Sequence, residues 1–310
     1  MTTQATPNPR TDLPPAPTRP RRTRLHRGRS WVGLAMTAPA FVLVAVILGW
    51  PMLQAFYYSM TQWDGITATW VGPSAYTHEF HDPAFRRVLQ NNALLLLAIP
   101  LALVIPLGIA FLLDTHVFGW RIFRSAYFLP TAISWVVIGM VAERFFAAHG
   151  QLNSMLSAVG LGFLSTDFLS GERTALLAVA LTFAWSMIGT NMIIFLTGMA
   201  TLDPHLAEAA RVDGAGGWQT FRRVTVPQLK RFIQFALMMT LISAFTALFS
   251  LIFVMTSGGP GYGTTTLEFF VYQTAFAVGQ FGTGAMLGVI LFVIMATVGI
   301  VQIVLLRTKE

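Results

Sequence analysis

The sequence predicts an all-α membrane protein with six transmembrane helices, and three observations support this fold class. Apolar residues make up 55% of the 310 positions and charged residues only 11%, whereas soluble domains contain about 25% charged residues. Six apolar segments approach the length that crosses a bilayer as a helix, and their cores contain no Asp, Glu, Lys or Arg. Most basic residues fall on one predicted side of the membrane.

The predicted spans, in chain order, are 31–53, 93–113, 128–141 with its flanks, 175–199, 233–255 and 284–306. The third span is the shortest. Pro100 and Pro106 lie inside the second span and Pro130 lies near the start of the third. We expect bends at these positions, because proline leaves a backbone carbonyl without its helical donor.

The distribution of basic residues predicts the orientation. With the N-terminus inside, 16 of the 20 basic residues fall on the cytoplasmic side, and only Arg86, Arg87, Arg144 and Arg173 fall outside. Lys and Arg concentrate on the cytoplasmic side of membrane proteins, so we expect both termini in the cytoplasm. Residues 1–30, rich in proline and arginine, are expected to form a disordered tail that can also meet anionic membrane lipids.

A polar segment, 201–231, separates the fourth and fifth spans and predicts two short helices joined at Gly214. Gly214 follows Asp213 at the position where a left-handed residue would end the first helix. Pro227 is expected to stop the second helix. Ala209 and Ala210 would leave a flat surface on which another protein could pack closely.

This segment resembles the cytoplasmic EAA loop of binding-protein-dependent ABC importer permeases, whose pattern is roughly E-A-A-x-x-D-G-A-(x)5-F-(x)5-P. The residues in register are Glu208, Ala209, Ala210, Asp213, Gly214, Ala215, Phe221 and Pro227. Arg231 stands where the family often has a second proline. The resemblance implies that 206–212 is a coupling helix that docks on a separate ATPase, with Glu208 and Asp213 as charged anchors.

Other elements resemble the carbohydrate branch of the same family. Residues 70–76, Trp-Val-Gly-Pro-Ser-Ala-Tyr, and 82–85, Asp-Pro-Ala-Phe, resemble an element of sugar-type permeases, although Ala75 replaces the usual Asn. Residues 150–153 resemble the family's G-x-x-N turn, and 256–260, Thr-Ser-Gly-Gly-Pro, resemble the T-x-G-G-P element of the maltose-type first permease subunit. A short apolar helix is expected after this element, near 269–276.

The resemblance covers residues 70–306 and implies a type I importer permease with a first span and external loop (31–92), a transmembrane core (93–306) and a cytoplasmic end (307–310). It also implies three partners. These are a homologous second permease, a cytoplasmic ABC ATPase dimer and an extracytoplasmic solute-binding protein.

The residue types and motifs that the sequence lacks restrict the chemistry that this chain can perform by itself. Cysteine is absent and the six histidines are scattered, with only His78 and His81 close together, so we expect no metal site and no catalytic residues. Neither of the two lysines, Lys230 and Lys309, follows a glycine, which excludes the phosphate-binding loop G-x-x-x-x-G-K-[ST]. We therefore expect no cofactor on this chain and ATP with Mg²⁺ on the partner ATPase. A soluble basic face for nucleic acid is also missing.

Polar side chains in the fourth and fifth spans are candidates for the solute pathway. Hydroxyl, amide and indole groups suit a polyhydroxyl solute, and the family's sugar contacts lie in these two spans. The candidates are Trp185, Ser186, Thr190 and Asn191 in the fourth span and Ser243, Thr246 and Ser250, at i, i+3 and i+7, in the fifth. The alternative is helix–helix hydrogen bonding, which is common for such residues in membranes.

The leading function is therefore a permease subunit for a sugar or oligosaccharide. A permease for glycerol 3-phosphate is the nearest alternative, although the spans offer no Arg or Lys for a phosphate. A stand-alone channel or secondary carrier is an alternative of a different class, which the lack of charged residues in the span cores disfavours. A non-transporting membrane scaffold is the third.

Overall fold

The computed structural model describes the backbone of residues 27–115 and 118–307, and the side chains of 34–115 and 118–304. The tail predicted for 1–30 and the end predicted for 307–310 therefore lie almost wholly outside the described residues. The chain divides into two compact units, Met1–Met52 and Leu53–Glu310.

Helices dominate the described residues. They are α1 (Arg27–Val44), α2 (Trp50–Tyr58), α3 (Ser74–His81), α4 (Pro83–Leu96), α5 (Ile99–Asp114), α6 (Trp120–Phe128), α7 (Trp135–Phe146), α8 (Gln151–Ala158), α9 (Glu172–Met199), α10 (Pro204–Val212), α11 (Gly217–Thr220), α12 (Val226–Gln228), α13 (Lys230–Thr246), α14 (Leu248–Met255), α15 (Leu267–Tyr272) and α16 (Phe281–Arg307). π-Helical turns occupy Ala45–Gly49, Phe221–Thr225 and Gln273–Ala277, and 3₁₀ turns occupy Leu129–Ala132 and Gly162–Leu164.

Four helical segments are long and apolar enough to cross a membrane: Leu34–Tyr58, Pro83–Asp114, Glu172–Met199 and Phe281–Val304. Two bent pairs pass the same test when each pair counts as one span. They are Trp120–Ala132 with Trp135–Ala158, bent by 104°, and Gly217–Gln228 with Lys230–Thr246, bent by 71°. The described chain thus contains four apolar spanning helices, or up to six.

The third and fifth predicted spans are not single straight helices. In the third, the chain passes through the 3₁₀ turn that contains Pro130, becomes extended at Ile133 and Ser134, and restarts as α7. The Ser134 side chain accepts a hydrogen bond from the Val137 amide (3.4 Å) and so caps α7. In the fifth, α13 ends at Thr246 and α14 begins at Leu248.

The second predicted span begins earlier and breaks earlier than expected. Helix α4 starts at Pro83, ten residues ahead of the predicted boundary, and ends at Leu96. Pro100 lies in the first turn of α5 and cannot donate to the Leu96 carbonyl, which explains a break just before the proline. Pro106 remains inside α5.

A small hairpin corrects the all-α prediction. Strands β1 (Thr61–Trp63) and β2 (Ala68–Trp70) pair antiparallel in the segment expected to be an external loop. The Asp64 carboxylate holds the turn by accepting from the amides of Ile66 (2.9 Å) and Thr67 (2.7 Å). These backbone hydrogen bonds lower the pKa of Asp64. Sequence analysis missed the hairpin because its three-residue strands are too short for a clear alternating pattern.

Helix α9 is the centre of the larger unit. Its buried face packs on α5, α7, α13 and α14. A separate apolar cluster joins α4, α15 and α16, with Phe85, Val88 and Leu267 almost fully buried.

Candidate functional site

The segment after α9 forms an exposed helix with well-defined ends. The Asp203 side chain accepts from the His205 amide (3.0 Å) and caps the start of α10, and Pro204 occupies the first turn. Glu208 lies on the exposed surface, 3.4 Å from the ring of His205. The observed helix, Pro204–Val212, begins two residues before the predicted coupling helix.

The predicted left-handed conformation of Gly214 is confirmed, with φ of +84°. The Gly214 amide donates to the Arg211 carbonyl (3.0 Å) and the Ala215 amide donates to the Ala210 carbonyl (2.9 Å). These two bonds satisfy carbonyls that the end of α10 would otherwise leave free, in the arrangement known as the Schellman motif. The chain therefore reverses sharply between α10 and α11.

Pro227 does not stop the second helix, so this prediction is wrong. Proline occupies the first turn of α12, where its missing amide proton removes no helical hydrogen bond. A π-helical turn, Phe221–Thr225, precedes α12, and the helix is interrupted at Leu229, after Pro227.

The EAA residues divide into an exposed set and a buried anchor. Glu208, Ala209, Asp213, Gly214 and Pro227 are exposed, while Ala210 and Ala215 are half-buried. Phe221 is buried, at 5% exposure, and its ring centroid lies 4.2 Å from that of Phe111 on α5. The cluster around Phe221 also includes Met192 and Phe195 of α9, so it ties the polar segment to the long helices.

The other end of α9 meets the loop that directly follows the Thr256–Pro260 element. Glu172, the first residue of α9, forms an ion pair with Arg87 of α4 (2.6 Å), and its side chain packs against Gly263 so closely that a Cβ there would lie 2.9 Å away. Helix α9 has 28 residues, a length of about 42 Å. This element and the EAA segment therefore lie at opposite ends of one long helix.

The backbone of this second region is tightly turned. Ser257 has φ of +48°, and it is the one non-glycine residue with positive φ among those described. The Thr256 and Thr264 hydroxyls are 2.7 Å apart, and Thr264 also donates to the Gly259 carbonyl (3.0 Å). The short apolar helix expected after the element is confirmed as α15 and the π-helical turn behind it.

Helix α4 holds this region through residues that sequence analysis did not single out. The Asn91 amide donates to the carbonyls of Tyr262 (2.6 Å) and Thr265 (2.9 Å), and the Asn92 side chain accepts from the Leu267 amide (2.8 Å). Arg87 lies one turn earlier on the same face as Asn91. The sequence feature that could have identified these residues is an Asn-Asn pair directly before an apolar run, because polar side chains that become buried need hydrogen-bond partners.

The proposed solute-pathway residues differ in how they are placed. Asn191 is fully buried, and its amide donates to the Ala102 carbonyl (2.7 Å) and the Thr240 hydroxyl (2.9 Å), which links α9 to α5 and α13. Ser186 is buried and donates to the Thr182 carbonyl (2.8 Å). Asn191 therefore makes the helix–helix hydrogen bonds of the alternative interpretation, whereas Ser186 bonds within α9.

The remaining candidates are more accessible. Trp185 and Thr246 are exposed, and Thr190, Ser243 and Ser250 are half-buried. Thr246 donates to the Ile242 carbonyl (3.0 Å). The break at Ala247 separates Thr246 from Ser250, so the three polar residues of the fifth span do not lie on one uninterrupted helix.

Comparison with known proteins identifies the class. Residues 66–308 match the family described as the binding-protein-dependent transport system inner membrane component, and the chain belongs to that family. With its long apolar helices, it is a multi-pass membrane protein and a transport subunit.

Individual relatives are similar over most of their length. A probable ABC transporter permease protein, PH1215 of Pyrococcus horikoshii, is 34% identical over 257 residues, which is 82% of this chain and 88% of the relative. The multiple sugar-binding transport system permease protein MsmF of Streptococcus mutans is 32% identical over 272 residues, 87% of this chain and 93% of the relative.

Solved structures show the same fold. A chain of a bacterial ABC transporter involved in import of the acidic polysaccharide alginate superimposes with a TM-score of 0.77 at 22% identity, covering 91% of this chain and 97% of that one. A second structure of the alginate transporter, in complex with alginate pentasaccharide-bound periplasmic protein, gives a TM-score of 0.76 at 21% identity and covers 91% and 96%.

Proposed function

We propose that this chain is one permease subunit of an ATP-driven importer, forms half of the translocation pathway and carries a sugar or oligosaccharide. Family membership and the sugar-transport name of the Streptococcus mutans relative support the solute class. The proposal includes six spans, with each bent pair acting as one. Glycerol 3-phosphate stays the alternative solute, and a stand-alone channel or carrier the alternative mechanism.

The observation that carries the coupling proposal is an exposed helix rigidly joined to the long helices. Helix α10 projects Glu208, Ala209 and Asp213 to the surface, where a partner ATPase could contact them. Phe221, buried behind it, joins the segment to α5 and α9. Movement of an ATPase under α10 would therefore pass to the spans as a rigid-body displacement.

The energy source in this proposal is ATP with Mg²⁺ on a partner ATPase dimer, since the chain lacks the phosphate-binding loop sequence. Among the described residues there is no group of three or more His, Asp or Glu side chains arranged to hold a metal ion. A homologous permease would complete the pathway, and an external solute-binding protein would deliver the solute. Both termini and α10 would face the cytoplasm, with the Thr256–Pro260 element outside.

For the solute itself, the accessible side chains are the better candidates. We assign Trp185, Thr190, Ser243, Thr246 and Ser250 to the pathway surface that the second permease would complete. Ser186 and Asn191 would support this surface from behind, because their polar atoms are already bonded within the chain.

Reconstitution tests the proposal. The chain is purified with the second permease, ATPase and solute-binding protein encoded beside it, and placed in liposomes. We expect sugar to stimulate ATP hydrolysis and to accumulate inside only when all four components and ATP are present. Solute accumulation by vesicles that contain this chain alone would contradict the proposal and favour the carrier.

A further inference from the structure

Glu268 is an acidic side chain buried without a hydrogen-bonding partner. It lies in the first turn of α15, and both of its carboxyl oxygens are shielded from solvent and lack a hydrogen-bond partner among the described residues. The Thr266 hydroxyl, two residues earlier, also lacks a partner. An ionised carboxylate in such a place is costly, because nothing replaces the water that it loses.

Among the described residues, no cation is paired with the Glu268 carboxyl. On α4, Arg87 is engaged by Glu172 (2.6 Å), and Arg86 donates to the His81 carbonyl (3.2 Å). Helix α14, the π-helical turn Gln273–Ala277 and the described side chains of α16 include no Asp, Glu, His, Lys or Arg. The other titratable side chains on α15, in the loop before it or packed against its apolar cluster are Tyr272, Tyr262 and Tyr76 of α3.

The carboxyl lies where α15 meets α4. The Leu267 amide, next in the chain to Glu268, donates to Asn92 of α4 (2.8 Å), and Leu267 packs with Val88 of α4 in one apolar cluster. The Thr266 hydroxyl and the Asn92 side chain are close enough to lower the pKa of the carboxyl, although neither forms a hydrogen bond with it. Hydration of an ionised Glu268 would therefore require the contact between α4 and α15 to open.

We propose that Glu268 is a proton-binding site: it holds a proton while α15 packs on α4, and loss of that proton releases α15 from α4. The protonated acid is neutral and tolerates burial, whereas the carboxylate needs water or donors that only a displaced α15 would provide. The same helix follows the Thr256–Pro260 element, so the packing of that end of the molecule becomes sensitive to pH.

The pH range follows from the titration of the buried group. Burial raises the pKa of Glu268 from an ordinary 4.5 to about 7. Below pH 4.5 the carboxyl is protonated whether or not α15 is packed on α4, so the packed arrangement keeps its full stability. As pH rises from 4.5 towards 7, the carboxyl ionises in the released arrangement but not in the packed one, so this stability is lost. The equilibrium constant for release of α15 from α4 should rise at most about tenfold per pH unit across this range, and by about 300-fold in total.

A cysteine reporter tests the proposal in the full-length chain, which has no native cysteine. Val88 is fully buried in the apolar cluster that joins α4 to α15 and α16, so the Val88→Cys variant should react with a small maleimide only when α15 leaves α4 and this cluster opens. Labelling rates are measured from pH 4.5 to 8 in lipid nanodiscs. Each rate is divided by that of an exposed Ala68→Cys variant, which removes the intrinsic pH dependence of thiol reactivity.

We expect the normalised rate to rise steeply with pH, and to stay low and flat when Glu268→Gln is added, because the amide stays neutral. Adding Glu79→Gln instead should leave the rise unchanged, although burial also raises the pKa of Glu79. A flat native profile, or an equal rise in the Glu268→Gln background, would overturn the proposal.

A second variant covers the case in which Glu268→Gln does not fold. Thr266→Val removes the hydroxyl whose proximity holds the pKa of Glu268 down, so the midpoint of the rise should move to higher pH. An unchanged midpoint in a folded Thr266→Val chain would also overturn the proposal. These readouts need no solute, ATPase or second permease, so their failure is distinct from failure of the proposed import function.

Discussion

Gly214 holds the end of α10 through its backbone conformation alone. A Cβ at this position would meet no atom within 4 Å, so space does not require glycine. The requirement is φ of +84°, which places two amides on the free carbonyls of α10. Side chains with a Cβ pay about 1–2 kcal/mol for that conformation, and β-branched ones adopt it least readily.

The first prediction concerns this turn. Gly214→Val should disorder the end of α10 and reduce solute-stimulated ATP hydrolysis by the reconstituted complex by roughly tenfold or more, a loss of about 1.4 kcal/mol in coupling. Basal ATP hydrolysis should persist. Gly216→Ala is the matched control, because Gly216 has φ of −67° and open space around it. Full stimulation in Gly214→Val would contradict a coupling role for this turn.

Asn191 shows how one polar residue can be fixed by neighbours far away in the chain. It bonds to Ala102 of α5 and Thr240 of α13, and leaving such a buried amide unsatisfied would cost about 1–3 kcal/mol. An isolated sequence window could identify it as a polar residue in an apolar span, but not its partners. The choice between solute contact and helix packing depended on those partners.

At the scale of elements, Phe221 connects α10 to the long helices. Its ring stacks near Phe111 and Trp218, with centroid distances of 4.2 and 5.4 Å, inside a cluster that includes residues of α5, α9 and α13. The exposed helix touches this cluster through α11 and the π-helical turn. The connection is therefore apolar packing, which transmits displacement because close-packed side chains compress little.

The second prediction tests that connection. Phe221→Ala should cost about 3–5 kcal/mol of local packing and lower the thermal midpoint of the purified chain. In the complex it should separate ATP hydrolysis from uptake. Phe163→Ala, which truncates an exposed phenyl group, should leave both measurements near those of the native chain. Normal coupling in a folded Phe221→Ala complex would exclude this route of transmission.

On the scale of the whole molecule, α9 separates the 201–231 segment from the loop after the Thr256–Pro260 element by about 42 Å. The 201–231 segment follows its last residue, and the loop directly after the Thr256–Pro260 element packs on its first. Their separation is longer than the hydrocarbon core of a bilayer, about 30 Å. The two regions can therefore lie on opposite sides of one membrane.

The third prediction concerns this topology. Single cysteines at Arg222→Cys and Tyr262→Cys, both at exposed positions, are treated with a membrane-impermeant maleimide in intact cells. We expect immediate labelling at 262 and labelling at 222 only after the membrane is opened. Labelling of both from outside, or the reverse pattern, would contradict the proposed orientation.

Sequence reasoning located the long helices and the turn at Gly214 because those features are set by local composition. The fourth span differs from α9 by three residues at its start, and Gly214 adopts the expected left-handed conformation. It placed Pro227 wrongly as a stop, and missed the 61–70 hairpin and the asparagines of α4. These depend on a π-helical turn, on short strand pairing and on contacts across about 170 residues.

By itself the sequence determined that this chain is a membrane protein with long apolar helices and a polar segment that turns at Gly214, because hydropathy and turn chemistry act over a few neighbouring residues. Only the tertiary structure decided which buried polar groups form hydrogen bonds within the chain and which do not. Asn191 is hydrogen-bonded to α5 and α13, whereas the carboxyl of Glu268 is buried with no hydrogen-bond partner among the described residues. The free energy of a buried polar group depends on the groups around it, and those arrive from distant parts of the chain only when it folds.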